Sequence, residues 1–184
     1  MRRLFSWLAM VTLVVAGLLM PTGSPAIAMP SSGVFEIKNV KSGQCLDQSY
    51  SGGVERSQVY VLPCNDRDNQ LWVIYTSDSA SPYHEISNFR SKKCLNQSYA
   101  NGTETSNVIA FPCNGSTNGL NMRWGNYWNG KYGDAIANHA SGKCLDQDWT
   151  GNKPNPGLLA YPCKSFPVLT DLLTNQHWVF VKPS

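Results

Sequence analysis

One short phrase occurs three times in the sequence, at intervals of about fifty residues. The stretch CLDQ at 45–48 returns as CLNQ at 94–97 and again as CLDQ at 144–147. At the same distance downstream, each copy reaches a proline followed by a cysteine, in VLPC, AFPC and AYPC. A period of roughly this length is typical of folds built from copies of one small unit. The sequence therefore predicts three similar structural units.

The repetition extends on both sides of this phrase. Upstream, the segments EIKNVKSGQC (36–45), EISNFRSKKC (85–94) and AIANHASGKC (135–144) share Ile, Asn, Ser and Cys at equal spacing. Downstream, the segments NQLW (69–72), NMRW (121–124) and NQHW (175–178) end in the same tryptophan. We place repeats 1, 2 and 3 at about 34–80, 83–130 and 133–182, within one domain that spans residues 33–184.

Short β-strands fit the local sequence patterns. The segments FEIKNV and HEISNF alternate in the manner of half-buried strands, and SQVYVLPC and SNVIAFPC are rich in β-branched and aromatic residues. Turn-forming pairs such as Gly52–Gly53 and Asn101–Gly102 separate these segments. No long stretch after residue 28 has helical periodicity. The sequence therefore predicts an all-β fold.

The three repeats are too short to fold separately. A unit of roughly 40–50 residues buries too little surface for a core of its own, and no Pro- or Ser-rich linker separates the units. Three repeats closed around one axis would leave no long open sheet edge. We therefore expect one closed domain with a shared core. The recurring residues that we assign to this core are Trp72, Trp124, Trp178, Leu46, Leu95 and Leu145.

The first 28 residues have the pattern of a secretory signal peptide. Arg2 and Arg3 precede an apolar run that includes LVVAGLLM, and AIA at 26–28 offers the small residues that a signal peptidase requires. A membrane anchor is the alternative, but the run is short for a spanning helix and no second apolar stretch follows it. We expect a secreted, extracellular chain that begins near Met29.

Charge argues against two classes of partner. Residues 29–184 carry 13 basic and 12 acidic side chains, and these are scattered without a polybasic run. Such a distribution has no particular attraction for nucleic acid or for an anionic membrane. We therefore expect no nucleic-acid partner and no membrane insertion.

Six cysteines in a chain predicted to be secreted indicate disulfide bonds. The two cysteines of each repeat lie 19 residues apart, so the simplest of the possible pairings is one bridge per repeat: Cys45–Cys64, Cys94–Cys113 and Cys144–Cys163. A zinc site is the competing interpretation. It is disfavoured because no CxxC pair exists and the three histidines do not flank the cysteines. We expect neither a metal nor a cofactor.

The combination of C-L-D, P-C and Q-x-W in repeats 1 and 3, with C-L-N, P-C and M-x-W at the same positions of repeat 2, resembles the ricin B-chain type lectins. The resemblance covers essentially all of residues 33–184 and implies a β-trefoil with pseudo-threefold symmetry that binds carbohydrate. It also implies that each site takes its acid from the C-x-D stretch, its aromatic platform from just before the second cysteine, and its amide from N-Q-x-W. A neutral sugar suits these groups, because its hydroxyls donate and accept hydrogen bonds while its C–H face packs on a ring.

Only repeat 3 has every part of this site. The resemblance implies that Asp146 accepts hydrogen bonds from sugar hydroxyls, that Tyr161 is the platform and that Asn175 is the amide. Gln176 would support the site from behind by orienting Asp146 or by tying the strand. We therefore expect repeat 3 to be the main binding site.

Repeats 1 and 2 are incomplete. Repeat 1 keeps the acid and both amides but has a leucine at the platform position, in the set Asp47, Asn69, Gln70 and Leu62. Repeat 2 keeps the platform and one amide but lacks the acid and the glutamine, in the set Asn96, Phe111, Asn121 and Met122. We expect weaker binding in repeat 1 and the weakest in repeat 2.

Each repeat also has an aromatic residue five positions after its first cysteine, namely Tyr50, Tyr99 and Trp149. These rings either flank a bound sugar or pack on their own turn, and the sequence supports both interpretations. Because Trp149 lies in repeat 3, it is included among the candidate sugar-binding residues.

No catalytic motif is recognisable, because the sequence lacks GxSxG, HExxH and a phosphate-binding glycine loop. Asp47 and Asp146 belong to different repeats and should lie too far apart to act as a glycosidase pair. We expect a non-enzymatic lectin for galactose-type or xylose-type sugars, acting alone or with a separate enzyme or toxin subunit. The alternative is a β-trefoil that binds proteins, as a toxin subunit or a protease inhibitor.

Overall fold

The computed structural model describes residues 29–30, 32–76, 81–113, 119–130, 133–164 and 175–183. The predicted signal peptide, residues 1–28, lies outside these ranges. The described residues form twelve β-strands and two short 3₁₀ turns, Asp68–Gln70 and Leu120–Met122, with no α-helix among them. Within the same ranges, no helical segment has the length and apolar character needed to cross a membrane. The prediction of an all-β fold is confirmed.

Each repeat contributes four strands in the same order. Repeat 1 contains β1 (Gly33–Asn39), β2 (Cys45–Ser51), β3 (Val54–Leu62) and β4 (Leu71–Tyr75). Repeat 2 contains β5 (Tyr83–Asn88), β6 (Lys93–Ala100), β7 (Thr103–Pro112) and β8 (Arg123–Gly130). Repeat 3 contains β9 (Gly133–Asn138), β10 (Cys144–Thr150), β11 (Lys153–Tyr161) and β12 (His177–Val181).

Two strands from each repeat close into a six-stranded barrel. Its strands follow one another in the ring β1–β4–β5–β8–β9–β12, and β12 pairs again with β1. Every pair is antiparallel; Phe35 lies opposite Trp72 between β1 and β4, and Glu36 lies opposite Val181 between β1 and β12. Because the last strand pairs with the first, the ring has no free edge.

The other two strands of each repeat form a hairpin, in the pairs β2–β3, β6–β7 and β10–β11. The second strands of these hairpins pair with one another around the same axis, β3 with β7, β7 with β11, and β11 with β3. Each hairpin joins the barrel at the first cysteine of its repeat, which lies opposite Lys38, Ser87 or Ala137. The predicted β-trefoil with pseudo-threefold symmetry is therefore confirmed.

The recurring tryptophans fill the shared core, as expected from their spacing. Trp72, Trp124 and Trp178 are completely buried. Each indole Nε1–H donates a hydrogen bond to the backbone oxygen of the leucine in its own repeat, over 2.9 Å to Leu46, 2.9 Å to Leu95 and 3.0 Å to Leu145. The tryptophan thus fixes the C-L-D stretch against the barrel and so positions the acid that follows the leucine.

The three disulfides link Cys45 to Cys64, Cys94 to Cys113 and Cys144 to Cys163, as predicted. Glu85 lies close to the sulfurs of the second bridge. Those sulfurs are bonded to each other and offer no thiolate, so the group is not a zinc site.

A buried glutamine connects each repeat to the first turn of the next. Ser91 Oγ–H donates to Gln48 Oε1 over 2.5 Å, and Ser141 Oγ–H donates to Gln97 Oε1 over 2.6 Å. In repeat 3 the bond runs from Gln147 Nε2–H to Gln44 Oε1, over 2.9 Å. Each boundary between repeats therefore has an equivalent hydrogen bond between a buried glutamine and the following turn.

Candidate carbohydrate-binding site

Asp146 lies at the centre of a polar cluster in repeat 3. Its Oδ1 accepts a hydrogen bond from Asn175 Nδ2–H over 2.6 Å, and its Oδ2 accepts one from Gln176 Nε2–H over 2.8 Å. Asn175 and Gln176 form the turn that precedes β12, whereas Asp146 belongs to β10. The structure therefore brings together the acid and both amides that the resemblance implied.

Gln176 has the geometry of a positioning residue. Its side chain is completely buried, and Nε2–H also donates to the backbone oxygen of Pro162 over 3.1 Å. Its Oε1 accepts a hydrogen bond from the backbone N–H of Lys164 over 2.9 Å. One amide thus fixes both the carboxylate of Asp146 and the chain on either side of Cys163.

Tyr161 lies on the same outer face of the hairpin as Asp146. In the β10–β11 register, Tyr161 is opposite Cys144 and Asp146 is opposite Leu159, so the two residues are diagonal neighbours. Diagonal neighbours on one face of a sheet are about 7–8 Å apart, which is within reach of an aromatic side chain. The ring is 53% exposed, so its surface is available as a platform.

Lys164 is a member of this cluster that the sequence pattern did not predict. Its Nζ donates a hydrogen bond to Asn175 Oδ1 and lies 3.9 Å from Asp146 Oδ2. The side chain remains 42% exposed. The sequence signal is a lysine directly after Cys163, where repeats 1 and 2 have Asn65 and Asn114.

Asp146 and Asn175 form the floor of the site, since they are only 5% and 6% exposed. Burial raises the pKa of Asp146, while the hydrogen bond from Gln176 and the positive charges of Lys164 and Lys41 lower it. The exposed Lys164 and Tyr161 border this floor. The arrangement is a recessed acid beneath a cation and a ring.

The cluster retains capacity for a polar ligand. A carboxylate has about four acceptor positions, and the two amides use one on each oxygen of Asp146. Both hydrogens of Asn175 Nδ2 are occupied, because this atom also donates to Gln147 O over 2.6 Å. The cluster therefore offers a charged acceptor, Asp146, and a charged donor, Lys164.

Repeat 1 contains the same acid–amide arrangement without the lysine. Asp47 Oδ2 accepts hydrogen bonds from Asn69 Nδ2–H over 2.9 Å and from Gln70 Nε2–H over 2.8 Å. Burial raises the pKa of Asp47, and these two bonds oppose the shift. Leu62 is half-buried on the outer face and offers no ring.

Tyr60 is a second residue that the sequence pattern did not predict. It lies directly opposite Asp47 in the β2–β3 register and is half-buried. The corresponding residues of repeats 2 and 3, Ile109 and Leu159, are aliphatic. Repeat 1 thus has an aromatic ring beside its acid, two positions away from the place where the family pattern puts it.

Repeat 2 lacks an acid but keeps the hydrogen bond between the two corresponding positions. Asn121 Nδ2–H donates to Asn96 Oδ1 over 2.6 Å and to Gln97 O over 3.1 Å. Met122 is buried at the glutamine position, and Phe111 is exposed at the platform position. Because the acceptor is uncharged, its hydrogen bonds are expected to be weaker than those of Asp146 in repeat 3.

In repeats 1 and 3, the aromatic residue five positions after the first cysteine contacts a cation in the turn of the next repeat. The guanidinium carbon of Arg90 lies 4.2 Å from the centre of the Tyr50 ring, and Lys41 Nζ lies 4.1 Å from that of Trp149. Tyr99 contacts no such cation among the described residues, donates a hydrogen bond to Glu104 of its own hairpin, and is 52% exposed. Trp149 therefore borders the repeat 3 site through Lys41, whose charge also acts on Asp146.

The comparisons with solved structures agree with the observed fold. A designed threefold-symmetric protein, ThreeFoil, has 22% identity and a TM-score of 0.64, over 81% of this chain and 98% of that one. The Rhizoctonia solani agglutinin has 21% identity and a TM-score of 0.59, over 84% and 97% of the two chains. A ricin B-like lectin of Macrolepiota procera, solved in complex with lactose, has 16% identity and a TM-score of 0.61, over 85% and 100%.

No curated protein matches the sequence significantly. The comparison with protein families does give a match, to the ricin-type beta-trefoil lectin domain, over residues 33–178. This range contains the C-L-D or C-L-N, P-C and tryptophan segments of all three repeats, and all twelve strands except the last three residues of β12. The chain therefore belongs to the family of ricin-type beta-trefoil lectin domains.

Proposed function

We propose that the protein binds galactose-type or xylose-type sugars, mainly through repeat 3, and that it acts as a secreted lectin without catalytic activity. The observation that carries this proposal is the cluster of Asp146, Asn175 and Lys164 beside the exposed ring of Tyr161. Charge-assisted hydrogen bonds contribute about 1.5–3 kcal/mol each, compared with about 1 kcal/mol for neutral pairs. Repeat 3 is the repeat with a charged acceptor, a charged donor and a platform together.

Repeat 1 is the second site in this proposal. Asp47 offers a charged acceptor, and Tyr60 offers a ring at a different position from Tyr161. Repeat 2 has only neutral groups at the acid and amide positions, so it contributes least. Several weak sites on one rigid body would increase the affinity for a polysaccharide far above that for a single sugar unit.

Secretion is part of the same proposal. Residues 1–28 have a basic start, an apolar run and a peptidase-compatible AIA. Three disulfides are typical of proteins that fold in an oxidising compartment.

The test is a glycan array followed by titration with galactose, lactose, xylose and xylan. Asp146→Ala is expected to reduce affinity more than tenfold, because it removes the charged acceptor. Tyr161→Ala should weaken binding several-fold by removing the platform. The matched control is the double variant Asp146→Asn and Gln176→Met, which reproduces the Asn96 and Met122 pair that repeat 2 already folds with. It should keep the fold and lose most of the affinity.

Two outcomes would overturn this proposal. One is sugar binding that survives both Asp146 variants unchanged. The other is the absence of glycan binding together with recovery of a protein partner from the extracellular fluid, which would favour the protein-binding alternative.

A further inference from the structure

A cavity of about 470 Å³ lies where repeat 2 meets repeat 3. It is lined by Tyr99, Glu104, Leu120, Asn121 and Ala140. It shares Asn121 with the predicted sugar site of repeat 2, but neither Asn96 nor Phe111 lines it. The cavity is therefore a separate feature of the surface.

The threefold repeat reveals what fills this place elsewhere in the molecule. In the other two repeats the ring at the Tyr99 position is covered by a cation from the next repeat, Arg90 over Tyr50 and Lys41 over Trp149. The position of Arg90 and Lys41 is held in repeat 3 by Ala140, which is too short to reach Tyr99. Tyr99 therefore lacks, among the described residues, the cation that covers the equivalent ring in the other two repeats.

The charge of the cavity also suits a cation. Glu104 lies opposite Tyr99 in the β6–β7 register and accepts a hydrogen bond from its hydroxyl over 2.9 Å. The corresponding acid of repeat 1, Glu55, is paired with Lys93 over 2.6 Å. Lys143 occupies the place of Lys93 but makes no ion pair with Glu104 within the described contacts. Glu104 is therefore an acid without a basic partner among the described residues.

We propose that this cavity binds the protonated amine of an amino sugar. The ammonium would lie over the face of Tyr99, next to Glu104, in the position that Arg90 and Lys41 occupy in the other repeats. Asn121 Oδ1, which accepts no hydrogen bond from a described residue, would accept from a sugar hydroxyl, while Leu120 would cover apolar surface. The choice of a sugar as the carrier of the amine rests on the proposed lectin function.

The experiment is an NMR titration of the purified protein with D-glucosamine, with D-glucose as the amine-free match, at a pH below the pKa of the amine. We expect D-glucosamine to shift the signals of Tyr99, Leu120 and Ala140 much more than D-glucose does. Tyr99→Ala should weaken binding about fivefold, which corresponds to the loss of one exposed cation–π contact. Ala140→Arg should abolish it, because the protein would then fill the cavity as it does at Tyr50.

Arg90→Ala is the matched variant in the opposite direction. It should uncover Tyr50 and create a second, weaker set of shifts with D-glucosamine, because Glu55 stays paired with Lys93, without changing those at Tyr99. Equal shifts with both sugars, or binding that is unaffected by Ala140→Arg, would overturn this inference. If neutral sugars shift Asp146 and Tyr161 while D-glucosamine leaves Tyr99 unchanged, only this inference fails. If D-glucosamine binds at Tyr99 and no neutral sugar binds repeat 3, the lectin proposal fails instead.

An independent observation concerns the N-terminal end of the described chain. The backbone of Met29 lies close enough to the carboxyl group of Asp134 to lower its pKa, and the Met29 side chain is part of the hydrophobic core. Asp134 is only 1% exposed, and its Oδ2 has no hydrogen-bond partner among the described residues. The equivalent positions of repeats 1 and 2 are Phe35 and His84, so the carboxyl group is particular to this place.

We infer that Asp134 is the binding site for a free α-ammonium group at Met29, an inference that rests on the proposed secretion and cleavage after Ala28. Hydrolysis of the Ala28–Met29 bond by a signal peptidase would transfer the OH of water to the Ala28 carbonyl carbon and a hydrogen to the Met29 nitrogen. The amine then takes up a proton at neutral pH, since its ordinary pKa is about 7.7–8.0. The single N–H donor of Met29 thereby becomes an ammonium group with three N–H donors. This group would lie beside the buried Asp134, whose Oδ2 has no hydrogen-bond partner among the described residues.

The test compares the chain that starts at Met29 with one that keeps Ala28 in front of it, each with and without Asp134→Asn. With Asp134 present, the extra alanine is expected to lower Tm by roughly 5 °C or more, because a buried carboxylate loses its ion pair. With Asp134→Asn, the alanine should change Tm little. Equal changes in both backgrounds, or a secreted protein that begins elsewhere than Met29 by N-terminal sequencing, would overturn the inference.

Discussion

At the scale of single residues, the residue at the acid position of each repeat determines which neighbouring side chain can form a hydrogen bond with it. Asp146 and Asp47 each accept from a buried glutamine, whereas Asn96 is accompanied by Met122. An asparagine presents a carbonyl oxygen on one side and an NH₂ group on the other, so a glutamine N–H that faces the NH₂ group would be left without a partner. The acid and the glutamine are therefore expected to change together.

A stability measurement checks this coupling in repeat 3. Gln176→Met is expected to destabilise the protein by about 1–3 kcal/mol, because it leaves one oxygen of the buried Asp146 carboxylate without its donor. Adding Asp146→Asn should recover part of this loss, since the pair then matches repeat 2. The two free energies are obtained from urea unfolding curves, and simple additivity of the two changes would contradict the explanation.

At the scale of elements, the contacts between repeats are made by the turn that precedes each first cysteine. These turns carry Ser91, Ser141 and Gln44, which bind the buried glutamines of the preceding repeat, and also Arg90 and Lys41, which cover its aromatic ring. Hairpin and turn therefore fix each other across every boundary. The boundary between repeats 2 and 3 differs, because it keeps the glutamine contact but lacks the cation.

This division of roles predicts unequal effects at neighbouring positions of β6. Gln97→Ala removes hydrogen bonds with Thr105 O (2.6 Å) and Ser141 Oγ (2.6 Å) from a completely buried position. We expect a loss of about 1–3 kcal/mol in unfolding free energy. Tyr99→Ala, two residues away and exposed, is the matched control and should lie within about 0.5 kcal/mol of the wild type. Both values come from chemical denaturation.

At the scale of the whole molecule, the barrel takes strands from every repeat, so no repeat contains a complete core. Strand β1 pairs with β4 in its own repeat and with β12 of repeat 3, and β5 pairs with β4 and β8. The tryptophans of all three repeats belong to one buried cluster. Folding is therefore expected to be cooperative across the three repeats.

Cooperativity is tested with the isolated second repeat. A peptide of residues 83–130, with its disulfide formed, should lack the near-UV dichroism of buried tryptophan, because the other two thirds of the core are absent. The full chain should unfold in one transition that coincides in near- and far-UV dichroism. Separate transitions for the two signals would contradict a shared core.

Buried carboxyl groups give the molecule a dependence of stability on pH. Burial raises the pKa of Asp134 to about 7 in the chain with the Ala28–Met29 bond intact. A carboxyl whose pKa is raised on folding stabilises the folded state most below its unfolded pKa, near 3.8, and this contribution is lost as the pH rises through about 7. Burial lowers the pKa of His84 and His177, which acts in the opposite direction.

A variant isolates the contribution of Asp134 from that of the histidines. In the chain with the Ala28–Met29 bond intact, the Tm of Asp134→Asn relative to the wild type should increase between about pH 4 and about pH 7. In the chain that starts at Met29, the ammonium group would lower the pKa of Asp134, so the same difference should be nearly independent of pH. The measurement is a series of thermal melts for both pairs of proteins.

The sequence alone was sufficient for the features that recur in register. The spacing of Cys, Leu, Pro and Trp predicts the three units, the shared core and the disulfide pairing, because each of these depends on a position that all repeats have in common. The placement of Asp146, Asn175 and Gln176 follows for the same reason. In contrast, Lys164 and Tyr60 occur in one repeat each, and their proximity to an acid depends on side-chain reach and strand register. The exposed ring of Tyr99 depends on the short side chain of Ala140, which lies in the following repeat.

The pairing of β1 with β12 brings the two ends of the domain to the same wall of the barrel, where Glu36 and Val181 are register partners. The first and last strands of the domain are thus neighbours, so the chain could be circularised without moving either strand. A short connection between residues 183 and 32 would close it, and new ends opened at the hairpin tip around Gly102 would leave every strand of the six-stranded ring covalently intact. An attached protein at either end would likewise emerge beside the other terminus, so the order of fusion would not alter which side of the trefoil it occupies.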